Sequence, residues 1–179
     1  MKRFFIALIA LSVFVLPSTN TPADDLLPKP DLEFLFEVAA TLAPPQELGK
    51  TTYGNRRIIN ITGGTVTGPK IKGEVLAGGA DWQIVREDGT ADLMAKYSLK
   101  TDDGVIILVE NTGIRTAPKE VLARLAKGEN VPPSEYYMRT SAKMEVKAGS
   151  RYDWLNKAVI ISTGMRKANS VVIHFYRVL

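Results

Sequence analysis

The chain has no cysteine and a single histidine in 179 residues. Absence of cysteine excludes disulfides, thiolate zinc sites, iron–sulfur clusters, a thiol nucleophile and a lipidated cysteine together. One histidine, His174, cannot build a multi-histidine metal centre. Basic runs are also missing: no stretch exceeds Arg56-Arg57 or Arg166-Lys167, so the formal charge of +4 describes no nucleic-acid footprint. The longest uncharged apolar run, Phe4 to Leu16, falls short of the ~20 residues that a spanning helix requires. No cofactor, metal or nucleic-acid partner is expected.

What remains is 45% hydrophobic residues against 23% charged, the composition of one globular domain. Lys2 and Arg3 precede the apolar run, and Pro17 to Ala23 then breaks any helix and ends in a small residue. This pattern is that of a secretory signal peptide (residues 1–23) cleaved after Ala23, followed by a Pro-interrupted tether over residues 24–31. Loss of Lys2 and Arg3 would lower the formal charge from +4 to +2. An exported protein, periplasmic or secreted and free of the membrane after cleavage, is the expectation.

From Leu32 onward the apolar residues alternate. Leu32, Phe34, Phe36, Val38, Ala40 and Leu42 keep a strict period of two, the mark of a strand with one buried face, and Pro44-Pro45 stops it. Further strands are expected at 57–62, at 65–67 with 71–76 as a broken one, at 81–86, 91–99, 105–109, 136–146, 159–163 and 171–178. Asp88-Gly89 and Asp103-Gly104 are hairpin signals. Pro118 to Gly128 alone has helical spacing, with Val121, Leu122 and Leu125 on one side. About nine strands and one short helix over 32–179 predict a mainly antiparallel β-barrel; a β-sandwich is the alternative.

The segment RRIINITGGTVTGPKIKGEVLAGGADWQIVREDGTADLMAKYSLKTDDG, with Glu135 to Arg139 and Tyr152 to Asn156, resembles the family called domain of unknown function 3237. The combination GGxxxGPxxxGxVxxGGxDW carries the resemblance, which extends from Leu32 to Val178. It implies a barrel of the calycin, lipocalin-like kind and brings no assigned activity. The leader is a departure from it.

Several residues are candidates for a site. Asp81 and Trp82 are neighbours on one strand and so point to opposite faces; an inward Asp81 would be a buried carboxylate able to act as a general base. Glu110 and Asn111 are read as the end of an apolar strand, where barrel-mouth groups gather, and Glu110 is a second candidate base. Tyr137 and Arg139 share a face on which they either meet solvent or line a polar cavity and hold an oxyanion. Trp154 is expected to plug one barrel end, and Arg56-Arg57 reads as a solvated pair. His174 reads as a satisfied wall histidine. Gly63-x4-Gly68-Pro69-Lys70 lacks the Gly-Lys-Ser/Thr that opens a helix in a phosphate loop and is a turn. Asp102-Asp103-Gly104 is a hairpin turn without calcium-loop spacing.

Three functions fit these features. The first is an exported barrel that binds a small, partly apolar, acidic or aromatic molecule through Trp82, Tyr137, Arg139 and Trp154. The second is a cofactor-independent isomerase, cyclase or hydrolase in which Asp81 or Glu110 is the base and Arg139 with Tyr137 stabilises negative charge. The third is an interaction module that pairs as a homo-oligomer, for which Val171 to Val178 is the segment to inspect.

Overall fold

The computed structural model describes residues 27–179, so the expected leader (residues 1–23) and residues 24–26 of the expected tether lie outside the described residues. Residues 27–31 are exposed and form no strand. Ten strands follow: β1 (Leu32–Leu42), β2 (Gln46–Thr51), β3 (Gly54–Thr67), β4 (Gly73–Val75), β5 (Gly79–Val85), β6 (Ala91–Thr101), β7 (Ile106–Thr116), β8 (Tyr137–Val146), β9 (Ile160–Arg166) and β10 (Ser170–Val178). Helix α1 (Lys119–Ala126) joins β7 to β8.

All pairings are antiparallel. The path β1-β10-β9-β8-β7-β6-β5-β3 returns to β1 through the register Glu37↔Thr67 to Ala40↔Gly64, which closes an eight-stranded barrel. Closure leaves no open edge around the ring and excludes the sandwich. The two additional strands are β4, which continues the wall between β3 and β6 beyond the end of β5, and β2, which pairs β3 alone.

Closure depends on two glycines. At Gly64, φ is +144° and a Cβ would lie 2.2 Å from the Ala39 carbonyl oxygen, so only glycine lets β3 approach β1. At Gly113 a Cβ would lie 2.2 Å from the Arg139 oxygen and 2.6 Å from Thr140 Cα. Glycine there lets β7 and β8 pack backbone to backbone.

The strands differ from the sequence expectation in three places. β3 runs unbroken through Gly63-Gly64, because the glycines bend the strand without ending it. β2 follows Pro44-Pro45, which its charged, glycine-containing sequence QELGKT did not signal. β7 continues through Glu110-Asn111-Thr112 to Thr116, so these polar residues lie in mid-strand rather than at a mouth.

Apolar residues close the barrel at both ends. Phe36 and Phe175, fully buried and stacked with centroids 4.9 Å apart, join Leu35, Leu99, Ile107, Val146 and Leu155 at one end. A 3-10 turn, Asp153–Lys157, supplies Leu155, and Asn156 fixes it by bonding both the N–H and the carbonyl of Val146. At the other end α1 packs Leu125 near Leu93, Val131, Tyr136 and Met138. The layer between these clusters is where the interior turns polar.

Candidate functional site

Strand alternation fixes what faces inward. On β7 the inward positions are Ile107, Val109, Asn111, Gly113 and Arg115; on β5 they are Asp81 and Gln83; on β6, Leu93, Ala95 and Tyr97. Small inward residues, Ala40, Ala95 and Gly164, leave space in the middle layer. The resulting cavity admits the centre of a water-sized sphere over about 50 Å³, room for a few waters or a small flat group. Val38, Ile59, Ile61 and Ile173 form its apolar walls; Asp81, Gln83, Tyr97, Asn111, Arg115, Thr140, Ser162 and Arg166 are its polar ones.

A hydrogen-bond chain crosses one side. Arg57 Nε donates to Gln83 Oε1 at 2.8 Å, and Gln83 Nε2 donates to Asp81 Oδ2 at 2.6 Å. The Met94 backbone N–H donates to Asp81 Oδ1 at 3.0 Å, so both carboxylate oxygens are engaged. Removal from bulk water pushes the Asp81 carboxyl above its ordinary value, against the opposing effect of these two hydrogen bonds and of the Arg115 and Arg57 charges. Asp81 is therefore a carboxylate held in place whose proton affinity is raised. Part of its surface faces the cavity.

Opposite charges gather nearby. Arg115 is 8% exposed, and burial, then repulsion by Arg57 and Arg166, lower its pKa from the ordinary arginine value to about 10. Arg166 is lowered as well, first by burial and then by Arg57. Its Nη1 and Nη2 lie 3.4 and 3.3 Å from the backbone oxygens of Ser170 and Ala168 in the β9–β10 turn. The Arg166 backbone N–H donates to Tyr136 Oη at 2.8 Å, which ties the end of β9 to the segment after α1. Thr140 and Ser162 hydrogen-bond to each other across β8 and β9.

Among the described residues, three buried side-chain polar atoms have no hydrogen-bond partner: Tyr97 Oη, Asn111 Oδ1 and Arg115 Nε. All three belong to residues that line this one cavity. Burial, then the charge of Asp81, raises the pKa of the Tyr97 hydroxyl, so it is a neutral donor at physiological pH. Native proteins rarely leave such groups orphaned, and a catalytic role or a bound ion or water is among the few reasons for it.

The structure separates the sequence candidates. Asp81 faces the cavity, whereas Trp82 lies on the outer face of β5, opposite Ile58. Glu110 is exposed on the outer face of β7, and Lys96 Nζ lies 2.6 Å from its Oε1. This pairing, Lys96 first, holds the Glu110 pKa low, which suits a surface ion pair and not a base. Tyr137 and Arg139 also point outward: Tyr137 is 49% exposed, and the Arg139 guanidinium lies 5.1 Å from its ring centroid and donates to the Met138 carbonyl. The expectation that these four residues serve the cavity is corrected by strand parity, since Asp81, Met138 and Thr140 take the inward positions beside them. Trp154 is packed against the Phe36–Phe175 cluster, with the Arg177 guanidinium 5.8 Å from its ring, and does not line the cavity. Arg57 is not a solvated residue but part of the Asp81 chain. His174 lies on the outer wall, 2.7 Å from Glu37 and edge-on to Phe34. Tyr97, Arg115 and Arg166 are not among the site candidates read from sequence, and Asn111 is read there only as a mouth group; extending the β7 alternation past Val109 is the signal that turns Asn111 inward and finds Arg115.

The fold and site define a closed antiparallel β-barrel with a small, charged interior cavity. The chain belongs to the family described as "Protein of unknown function (DUF3237)", whose profile matches residues 30–178. It is 39% identical over 154 residues to a UPF0311 protein of Rhodopseudomonas palustris, spanning 86% of this chain and all of that one. The crystal structure of a conserved protein of unknown function from that organism superposes with a TM-score of 0.82 at 39% identity, over 86% of this chain and 100% of that one. A β-barrel-like protein from Acinetobacter baumannii gives a TM-score of 0.75 at 40% identity, over 86% and 98% of the two chains. A hydroalkoxylation enzyme of Penicillium herquei is 33% identical over 106 residues, 59% of this chain and 66% of its own length.

Proposed function

We propose that the protein is a cofactor-independent acid–base catalyst acting on a small, partly apolar molecule inside the barrel. The observation that carries this reading is the convergence of Asp81 with the orphaned Tyr97 hydroxyl, Asn111 oxygen and Arg115 Nε on one cavity. Asp81 takes a proton from a substrate O–H or C–H and returns it to another atom of the same molecule, so the net reaction is an isomerisation or cyclisation without a co-reactant. Raised proton affinity suits both halves of that cycle, and Gln83 with the Met94 amide keeps the carboxylate in position. Hydroalkoxylation, the addition of an O–H across a carbon–carbon multiple bond, is a reaction of this type, which is how the Penicillium relative supports the reading.

The test is incubation of the protein in D2O with hydroxylated aromatic alkenes, beginning with ortho-allylphenol, and mass spectrometry of the products. The expected result is a product isomeric with the substrate that carries one non-exchangeable deuterium, and loss of this product in Asp81→Asn. Binding of the same compounds without turnover refutes catalysis and leaves a binding barrel.

We also propose export. The Lys2-Arg3, apolar run and Pro17 to Ala23 pattern supports it, as does the position of this segment outside the family match. Expression of the full chain in a Gram-negative host should yield a periplasmic protein beginning at Asp24; an intact N-terminus in the cytoplasmic fraction overturns it.

A further inference from the structure

The cavity carries more positive than negative charge. Arg57 reaches it from β3 through Gln83, Arg115 lines it from β7 and Arg166 from β9, while Asp81 is the one acidic side chain among its lining residues. A guanidinium keeps its proton under all physiological conditions, so this excess is not relieved by neutralisation. Arg57 Nε and both Nη atoms of Arg166 have oxygen partners. Arg115 is different: it is more than nine-tenths buried, and its Nε–H has no acceptor. Buried charges are ordinarily paired and hydrogen-bonded, since an unpaired one costs several kcal/mol.

Asp81 does not fill that role. It acts on Arg115 through its charge alone: its oxygens are held by Gln83 and Met94, and no hydrogen bond or ion pair joins it to the guanidinium. Arg115 therefore has a donor to offer a second negative group, and the surroundings limit what that group is. With apolar walls from Val38, Ile59 and Ile173 and about 50 Å³ open to a water-sized sphere, the space suits one oxygen on a flat apolar body better than a multiply charged phosphate. Tyr97 has a hydroxyl free to donate to the same oxygen, while Asn111 Oδ1 can only accept and so calls for a donor on the ligand.

We infer that the substrate is an oxyanion, a carboxylate or phenolate on a small apolar body, whose charged oxygen is bound by Arg115 in the field of Arg166 and Arg57. The inference rests on the cavity being the small-molecule site proposed above, but not on turnover.

Two probes test it without requiring catalysis. The first is para-nitrophenol, whose phenolate is yellow: its ionisation is followed by absorbance against pH in the presence of excess protein. The apparent pKa of the bound probe should fall by about one unit or more, as expected for a group facing a nearby opposite charge. The shift should vanish in Arg115→Met and persist in Arg139→Met, whose guanidinium is on the outer wall. The second probe pair is benzoate and its neutral isostere benzamide; benzoate should bind at least tenfold more tightly. An unshifted or raised pKa, equal affinity for the two isosteres, or no binding of either probe overturns the inference. The isostere comparison uses only the unaltered protein, so the test survives if a variant fails to fold. Anion preference without turnover of any alkene refutes the catalytic proposal alone, and turnover insensitive to Arg115→Met refutes this one alone.

Discussion

Replacing Arg115 by methionine should make the ligand-free protein more stable. Arg115 is 8% exposed, and its pKa falls between two and three units below the ordinary arginine value, to about 10, chiefly through burial. At about 1.4 kcal/mol per pKa unit, the charged side chain is disfavoured by roughly 3 kcal/mol relative to the unfolded chain. A folded-state pKa below the unfolded one means that this contribution is restored only as pH rises beyond about 10, so at neutral pH the full cost is present. Methionine keeps the length and apolar contacts of the arginine stem and removes the charge, with some loss from imperfect packing. A net gain of about 1–2 kcal/mol is expected, which for a chain of this size raises Tm by roughly 3–6 °C. Calorimetry at neutral pH measures it directly. Saturating benzoate should narrow or reverse the order, because ligand stabilises only the protein that binds it. A lower Tm for the ligand-free variant would refute the reasoning, since it would mean that Arg115 stabilises the fold and awaits no counter-charge.

Asp81→Asn should abolish turnover and change the pH dependence of stability. A carboxyl raised in the folded state stabilises below its unfolded pKa, and that contribution is lost as pH climbs through the folded value. The Tm of the unaltered protein should accordingly fall relative to the variant's as pH rises above the ordinary aspartate range, and parallel curves would count against a raised Asp81. Phe36→Ala removes half of the fully buried Phe36–Phe175 stack and should cost about 3–5 kcal/mol in urea unfolding. A loss under about 1 kcal/mol would mean that the stack is loosely packed. Gly113→Ala, whose Cβ would meet the Arg139 oxygen at 2.2 Å, should lower Tm and weaken cavity binding together; an unchanged melt would disprove the close β7–β8 approach. Glu110→Gln, on the outer wall beside Lys96, should leave benzoate affinity unchanged, and a tenfold loss would return Glu110 to the site.

The barrel was legible wherever inward residues were apolar. β1 has the bounds that period two gives it, and β6, β8 and β10 show the same alternation between wall and core. Asp88-Gly89 and Asp103-Gly104 sit in the turns that join β5 to β6 and β6 to β7, and both glycines have positive φ. Reading failed where polar side chains point inward. Val109 is followed by Glu110-Asn111-Thr112, which looks like departure from a sheet, yet Asn111 is 2% exposed and the alternation continues to Arg115. Arg57, read as solvated, is held by Gln83 for the same reason. Parity showed that Asp81 and Trp82 take opposite faces, but not which is inside; that follows only from the pairing of Asp81 with Ile59 and Ala95 in the closed ring.

These failures coincide with the site because both arise from one physical conflict. A strand is recognised by burying apolar groups, whereas a cavity for an ionic molecule requires charged groups in those inward positions. The barrel resolves the conflict by position along its axis. Phe36, Phe175 and their neighbours secure one end and the residues beneath α1 the other, so the middle layer can hold unpaired donors that a uniform core would not accept. Gly113 belongs to the same solution: it lets β7 and β8 approach closely between Asn111 and Arg115, where a larger residue would separate the strands. Stability and site therefore oppose each other most directly at Arg115, where removal of the charge should strengthen the fold and destroy the recognition.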